Sequence, residues 1–138
     1  MKLSYLITIN SIFLFGLGIA FMIYAPLVME LFNVPDIEEI DSLFYWNVAP
    51  FIRLFGASQL GFGLLLLAIR PLVENRSFSS QRGIIFALFL TNVLGLFFAS
   101  TQLFASTIWP SIAGWLVTIY YFLFVIAYGF FLFSKKPE

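Results

Sequence analysis

Four long apolar runs, separated by short polar stretches, dominate the pattern of this chain. They cover about residues 3–25, 51–69, 81–104 and 109–133. A helix needs about 20 mostly apolar residues to cross a bilayer, and each run approaches or exceeds that length. The pattern therefore predicts four transmembrane helices in a single transmembrane domain. A signal peptide is the alternative for the first run, but the chain after it is too apolar to form a soluble domain.

The segment 27–50, between the first two runs, is acidic and contains no basic residue. Its acidic residues are Glu30, Asp36, Glu38, Glu39 and Asp41. Asp36 follows a proline and is suited to cap a helix, and apolar residues recur after it at helical spacing. We therefore predict a short amphipathic helix that lies on the membrane surface as an acidic cap over the bundle.

Basic residues fall near the two chain ends and in the connection between the second and third runs. They are Lys2, Arg70, Arg76, Arg82, Lys135 and Lys136. By the positive-inside rule these regions face the cytoplasm, and the acidic cap faces the outside. The expected location is the cytoplasmic (inner) membrane, with both termini in the cytoplasm.

Small and polar residues form stripes along the predicted spans, and helices in lipid pack through such stripes. The stripes are Ser4, Thr8, Ser11 and Gly18 in the first span, Gly56, Gln59 and Gly63 in the second, and Asn92, Gly95, Ala99, Gln102 and Ser106 in the third. Short connections favour antiparallel neighbours. The predicted fold is all-α: an integral membrane antiparallel four-helix bundle, with the acidic amphipathic helix between its first two spans.

Composition supports a membrane environment and argues against several kinds of chemistry. The 138 residues are 62% hydrophobic and only 10% charged, whereas soluble domains average about 25% charged residues. The chain has no cysteine, no histidine and no carboxylate within a predicted span. We therefore expect no metal site, no cofactor and no enzymatic activity. The net charge of zero argues against nucleic acid as a partner.

Four polar side chains within the spans are candidate ligand-binding or pocket-lining residues: Arg53, Gln59, Asn92 and Gln102. At about 1.5 Å per residue, Gln59 and Asn92 lie near mid-membrane and are able to hydrogen-bond to each other. Gln102 lies at about the depth of Arg53. Hydrogen bonding between helices is the favoured interpretation of these residues, and a polar pocket or narrow pathway is the alternative.

Arg53 is the one charged residue that the pattern places at membrane depth. The favoured interpretation is an ion pair with an acidic residue of the cap (Glu30, Glu38, Glu39 or Asp41), which would fix the cap to the bundle. The alternative is a bound anion, such as a lipid phosphate. Any site is expected beneath the cap, at the outer half of the second and third spans.

Three stretches of the sequence carry a resemblance to a known group. They are GLGIAFMIYAPLVMELFNVP, RLFGASQLGFGLLLLAIR and AGWLVTIYYFLFVIAYGFFLF. Together they resemble the DoxX-like group of small four-helix bacterial membrane proteins and its uncharacterised relatives. The resemblance covers most of the chain but rests on pattern. It implies the four-helix membrane fold and, for some members, an association with sulfur or quinone redox chemistry; it transfers no catalytic residue.

Three classes of function fit the sequence. The first is a non-enzymatic membrane protein that binds a hydrophobic ligand or lipid, or that serves as a subunit or scaffold of a membrane complex. The second is a small oligomeric channel or transporter, and the third is a quinone-linked redox subunit. Low polarity within the spans favours the first. Its expected partners are membrane lipid, another membrane protein or further copies of the same chain.

Overall fold

A computed structural model describes residues 3–23, 25–32, 42–74, 78–105 and 111–134. All of these residues except Phe32, Ser111 and Ser134 lie in helices, and none lies in a strand. The helices are α1 (Leu3–Ile23), α2 (Ala25–Leu31), α3 (Ser42–Glu74), α4 (Phe78–Ala105) and α5 (Ile112–Phe133). The all-α prediction is therefore confirmed for the described part of the chain.

Four of these helices are long and apolar enough to cross a membrane. The qualifying stretches are Leu3–Ile23, Trp46–Val73, Gln81–Phe104 and Ile112–Phe133, with mean hydropathies between 1.7 and 2.2. Many large apolar side chains on these helices face outward, where lipid chains are able to solvate them. The length and composition of these four helices suggest an integral membrane protein.

Helix α3 extends beyond the predicted span 51–69 at both ends. It contains Pro50 and Pro71, which the sequence pattern places at the boundaries of the span. Proline removes one backbone hydrogen bond from a helix. The helix nevertheless continues through both prolines, and buried residues lie close to each: Ala49 and Val73 are each 2% exposed. Its 33 residues correspond to roughly 50 Å of helix, longer than the roughly 30 Å of a hydrocarbon core.

The predicted acidic cap, 27–50, overlaps the described residues only at its two ends. Helix α2 occupies the first part, with Val28 and Met29 buried and Glu30 exposed. The last part, from Ser42, belongs to α3. The amphipathic helix predicted to begin at Asp36 lies largely in 33–41, outside the described residues.

Helices α1 and α3 form one tightly packed pair. Gly18 and Gly56 lie at the closest approach, where each backbone touches the other helix directly. Farther along, Gly63 contacts the backbone of Ser11 and Phe15, and the Ser11 hydroxyl donates a hydrogen bond to the Gly63 carbonyl oxygen. Small residues permit this separation because they place no side chain between the helices.

Helices α4 and α5 form the second pair. Gly95 gives space to the ring of Tyr121. Gly129 lies beside the ring of Phe89, which also meets the ring of Phe133 edge to face. The two pairs join mainly through side chains of α1 and α5. A shared buried core contains Leu6, Ile7, Leu14, Leu66, Val73, Leu88, Tyr120, Phe124 and Tyr128.

Candidate ligand-binding site

A cavity of about 300 Å³ lies between the two helix pairs, and we call it the apolar cavity. Its wall consists of Leu14, Leu17, Phe21, Phe32, Phe55, Gln59, Gly95, Phe98, Ala99, Gln102, Val117, Tyr120 and Tyr121. Its volume lies at the lower end of the range of about 300–1,000 Å³ that is typical of small-molecule sites. Apolar and aromatic side chains with two carboxamides match the usual composition of such sites.

A second cavity of about 260 Å³ adjoins the first, and we call it the polar cavity. Its wall consists of Asn10, Leu14, Ser58, Gln59, Phe62, Thr91, Asn92, Tyr120 and Tyr121. The two cavities share Leu14, Gln59, Tyr120 and Tyr121. These four side chains therefore separate an apolar space from a polar one.

A third cavity of about 200 Å³ continues from the apolar cavity toward α2. It shares Leu17, Phe21, Phe32 and Val117 with the apolar cavity but no wall residue with the polar cavity. Its other wall residues are also apolar. The apolar cavity thus lies between the other two, and polarity falls from one end of the series to the other.

Three of the four predicted site residues line these cavities. Gln59 lies in the wall of both main cavities, Gln102 in the apolar wall and Asn92 in the polar wall. Arg53 lies in neither wall, and its side chain is exposed. It makes no ion pair with Glu30, the only proposed partner within the described residues. Glu38, Glu39 and Asp41 lie outside that part of the chain, so pairing with them stays a prediction.

Asn92 and Gln59 face the same cavity without bonding to each other. The Asn92 side-chain amide instead donates to the carbonyl oxygen of Leu88, one turn earlier on α4, at 2.7 Å. A short amide side chain on a helix reaches its own backbone more readily than a neighbouring helix. The predicted Gln59–Asn92 hydrogen bond is therefore absent from the described contacts.

The structure also reveals a polar cluster that the sequence-based site omitted. The Asn10 side-chain amide donates to the Tyr128 hydroxyl at 2.9 Å, and the Tyr120 hydroxyl donates to the Asn10 carbonyl oxygen. Asn10 is only 1% exposed. Two sequence signals pointed to it: Asn10 is the one carboxamide of the first span, and Tyr120 and Tyr128 are eight residues apart, near one helical face.

None of the residues that line the two main cavities carries a formal charge. Within the described residues no group of histidine, cysteine, aspartate or glutamate is arranged to hold a metal ion. The walls offer carboxamides, hydroxyls and aromatic rings. Such walls are suited to bind and orient an uncharged molecule by packing and hydrogen bonding.

Comparisons with protein-family models, with curated proteins and with solved structures found no match to this chain. The resemblance to the DoxX-like group therefore stays a prediction from the sequence pattern.

Proposed function

We propose that this protein binds a hydrophobic ligand or lipid within an antiparallel four-helix bundle of the cytoplasmic membrane, and that it has no catalytic activity of its own. The apolar cavity between the two helix pairs carries this proposal. A cavity lined by apolar side chains lacks partner atoms for dispersion contacts, and a lipophilic ligand supplies them.

Access from the bilayer supports the same function. Phe55 and Phe98 line the apolar cavity and are also exposed on the outer surface of the helices, as is Gln102. A ligand dissolved in the membrane would therefore reach the cavity laterally, between α3 and α4. The cavity would open toward the lipid chains of the bilayer. A membrane-dissolved ligand would therefore enter it without first passing through water.

Filling the apolar cavity provides the direct test. Ala99 is buried in its wall, and Ala99→Phe is expected to reduce binding of a lipophilic probe at least tenfold, because the added ring occupies the ligand's space. The measurement is binding of a tritiated long-chain alcohol to the purified protein in lipid nanodiscs.

Ala87→Phe is the matched control, since Ala87 is exposed on the same helix and lines neither main cavity. It is expected to leave binding within about twofold of the unsubstituted protein. Equal binding by both variants, with both proteins folded, would contradict the proposed function.

A channel or transporter finds less support, because the polar cavity is followed by apolar cavities rather than by a continuous polar path. A role as a scaffold remains compatible with ligand binding. The quinone-linked redox function stays a prediction from the sequence.

The proposed orientation is tested by cysteine labelling, because the chain has no cysteine of its own. Glu30 is exposed at the end of α2, and Ser134 follows α5. A Glu30→Cys variant should react with a membrane-impermeant maleimide in intact cells. A Ser134→Cys variant should react only after permeabilisation. The reverse labelling pattern would show that the acidic segment faces the cytoplasm.

A further inference from the structure

The polar cavity contains a buried hydrogen-bond acceptor without a partner. Asn92 is 4% exposed, and its amide nitrogen donates to the Leu88 carbonyl oxygen. This bond identifies which end of the carboxamide is the oxygen, and it leaves that Oδ1 atom without a donor among the described residues. A buried acceptor of this kind costs stability until a donor reaches it.

The hydroxyls beside Asn92 do not supply that donor. Thr91 donates to the Ala87 carbonyl oxygen at 2.9 Å, and Ser58 donates to the Leu54 carbonyl oxygen at 3.0 Å. Both oxygens therefore present only acceptor lone pairs to their surroundings. Next to Asn92 the committed hydroxyls thus add acceptors, so a molecule bound beside Asn92 gains a hydrogen bond if it carries an O–H or N–H group.

The walls also select against charge. The polar cavity has no acidic or basic wall residue, and a charged group at membrane depth is costly unless an opposite charge accompanies it. Gln59 and Tyr121 offer neutral donors and acceptors at the junction with the apolar cavity. An uncharged head group is consequently preferred over an anion or a cation.

We propose that the polar cavity is the head-group site of a neutral amphiphile that carries a hydrogen-bond donor, such as a long-chain alcohol, and that Asn92 Oδ1 accepts its hydrogen. The hydrocarbon tail then lies in the apolar cavity and continues toward the third cavity. This inference rests on the proposed function, since it names the ligand class of the same site.

Three probes with the same tail test the inference on the full chain in nanodiscs. Dodecanol carries a donor, dodecyl methyl ether has the same oxygen without the hydrogen, and dodecanesulfonate is a permanent anion. In competition with tritiated dodecanol, the alcohol should bind about fivefold more tightly than the ether. It should bind more than about tenfold more tightly than the sulfonate.

The Asn92→Leu variant tests whether Asn92 Oδ1 causes the preference for the alcohol over the ether. Leucine has nearly the same shape as asparagine but no hydrogen-bond acceptor. The variant should bind the ether within about twofold of the unsubstituted protein while losing the alcohol-over-ether preference. Thr101→Val is the control: Thr101 is exposed on the same helix, donates to the Phe98 carbonyl oxygen and lines neither main cavity. It should preserve the preference.

Equal affinity for alcohol and ether in the unsubstituted protein would overturn the head-group assignment while leaving lipophile binding intact. A preference that survives Asn92→Leu would likewise overturn it. Absence of binding by all three probes would refute the proposed function itself. If Asn92→Leu does not fold, as judged by gel filtration and helix content, the three-probe comparison on the unsubstituted protein decides alone.

Discussion

Replacing Gly18 or Gly56 with alanine is expected to destabilise the protein by about 1–3 kcal/mol in each case. A β-carbon at position 18 would lie 2.6 Å from the Leu60 backbone nitrogen and 2.8 Å from the Gly56 carbonyl oxygen. At position 56 it would lie 2.9 Å from both the Gly18 carbonyl oxygen and the Met22 backbone nitrogen. These are backbone atoms, so a rotamer change cannot relieve the overlap and α1 must move away from α3.

Gly16→Ala and Gly61→Ala are matched controls on the same two helices. Apart from chain neighbours and the nearby backbone of the same helix, no atom of the described residues lies within 4 Å of the β-carbon that either substitution would add. Alanine favours helix over glycine by up to about 1 kcal/mol, so these variants should equal or exceed the unsubstituted protein in stability. Thermal unfolding in detergent, followed by tryptophan fluorescence, measures all four variants. Equal losses at positions 16 and 18 would contradict the close-contact interpretation.

Much of the packing between α1 and α3 was predictable from small residues. Ser11 and Gly18 in α1 and Gly56 and Gly63 in α3 belong to the stripes that the sequence indicated, and they lie between these two helices. Gly61 falls outside the stripe and has open space around it. Helical periodicity distinguishes Gly56 and Gly63 from Gly61, because it determines which residues share one face of the helix.

The ends of α3 were less predictable, because the tendency of proline to end a helix competes with packing against other helices. Proline disfavours a helix interior, so Pro50 and Pro71 indicate boundaries when only the sequence is available. The burial of Ala49 and Val73 depends on neighbouring helices that local sequence does not identify. Packing of these residues against neighbouring helices favours a helical conformation despite the two prolines.

Sequence indicates where a site residue lies along its own helix, but not which residues of other helices it contacts. The predicted depth of the polar residues placed Gln59 and Asn92 at a similar level, and both line one cavity. The hydrogen-bond partners of these residues were not predictable in the same way. Asn10, for example, bonds to tyrosines that are 110 and 118 residues away in sequence. Periodicity within one helix specifies a face but not which face of another helix meets it.

That long-range cluster leads to the second large expected effect. Asn10→Leu should lower the free energy of unfolding by about 2–4 kcal/mol, because it leaves two buried tyrosine hydroxyls without their shared partner. Tyr128 is 0% exposed and Tyr120 is 6% exposed, so neither hydroxyl has ready access to solvent. Asn47→Leu, at an exposed position of α3, should have little effect. Unfolding in a denaturing detergent series measures both.

Removing the hydroxyls together with the amide distinguishes an unsatisfied polar group from a simple packing defect. Tyr120→Phe and Tyr128→Phe each delete one hydrogen bond, and such bonds between membrane helices average about 0.6 kcal/mol. The triple variant, with both tyrosines and Asn10 replaced, no longer has a buried hydroxyl or amide in this cluster. It should therefore be more stable than Asn10→Leu alone. If the triple variant is equally unstable or worse, the loss arises from the shape of leucine, and the hydrogen bonds of the cluster contribute little to joining α1 with α5.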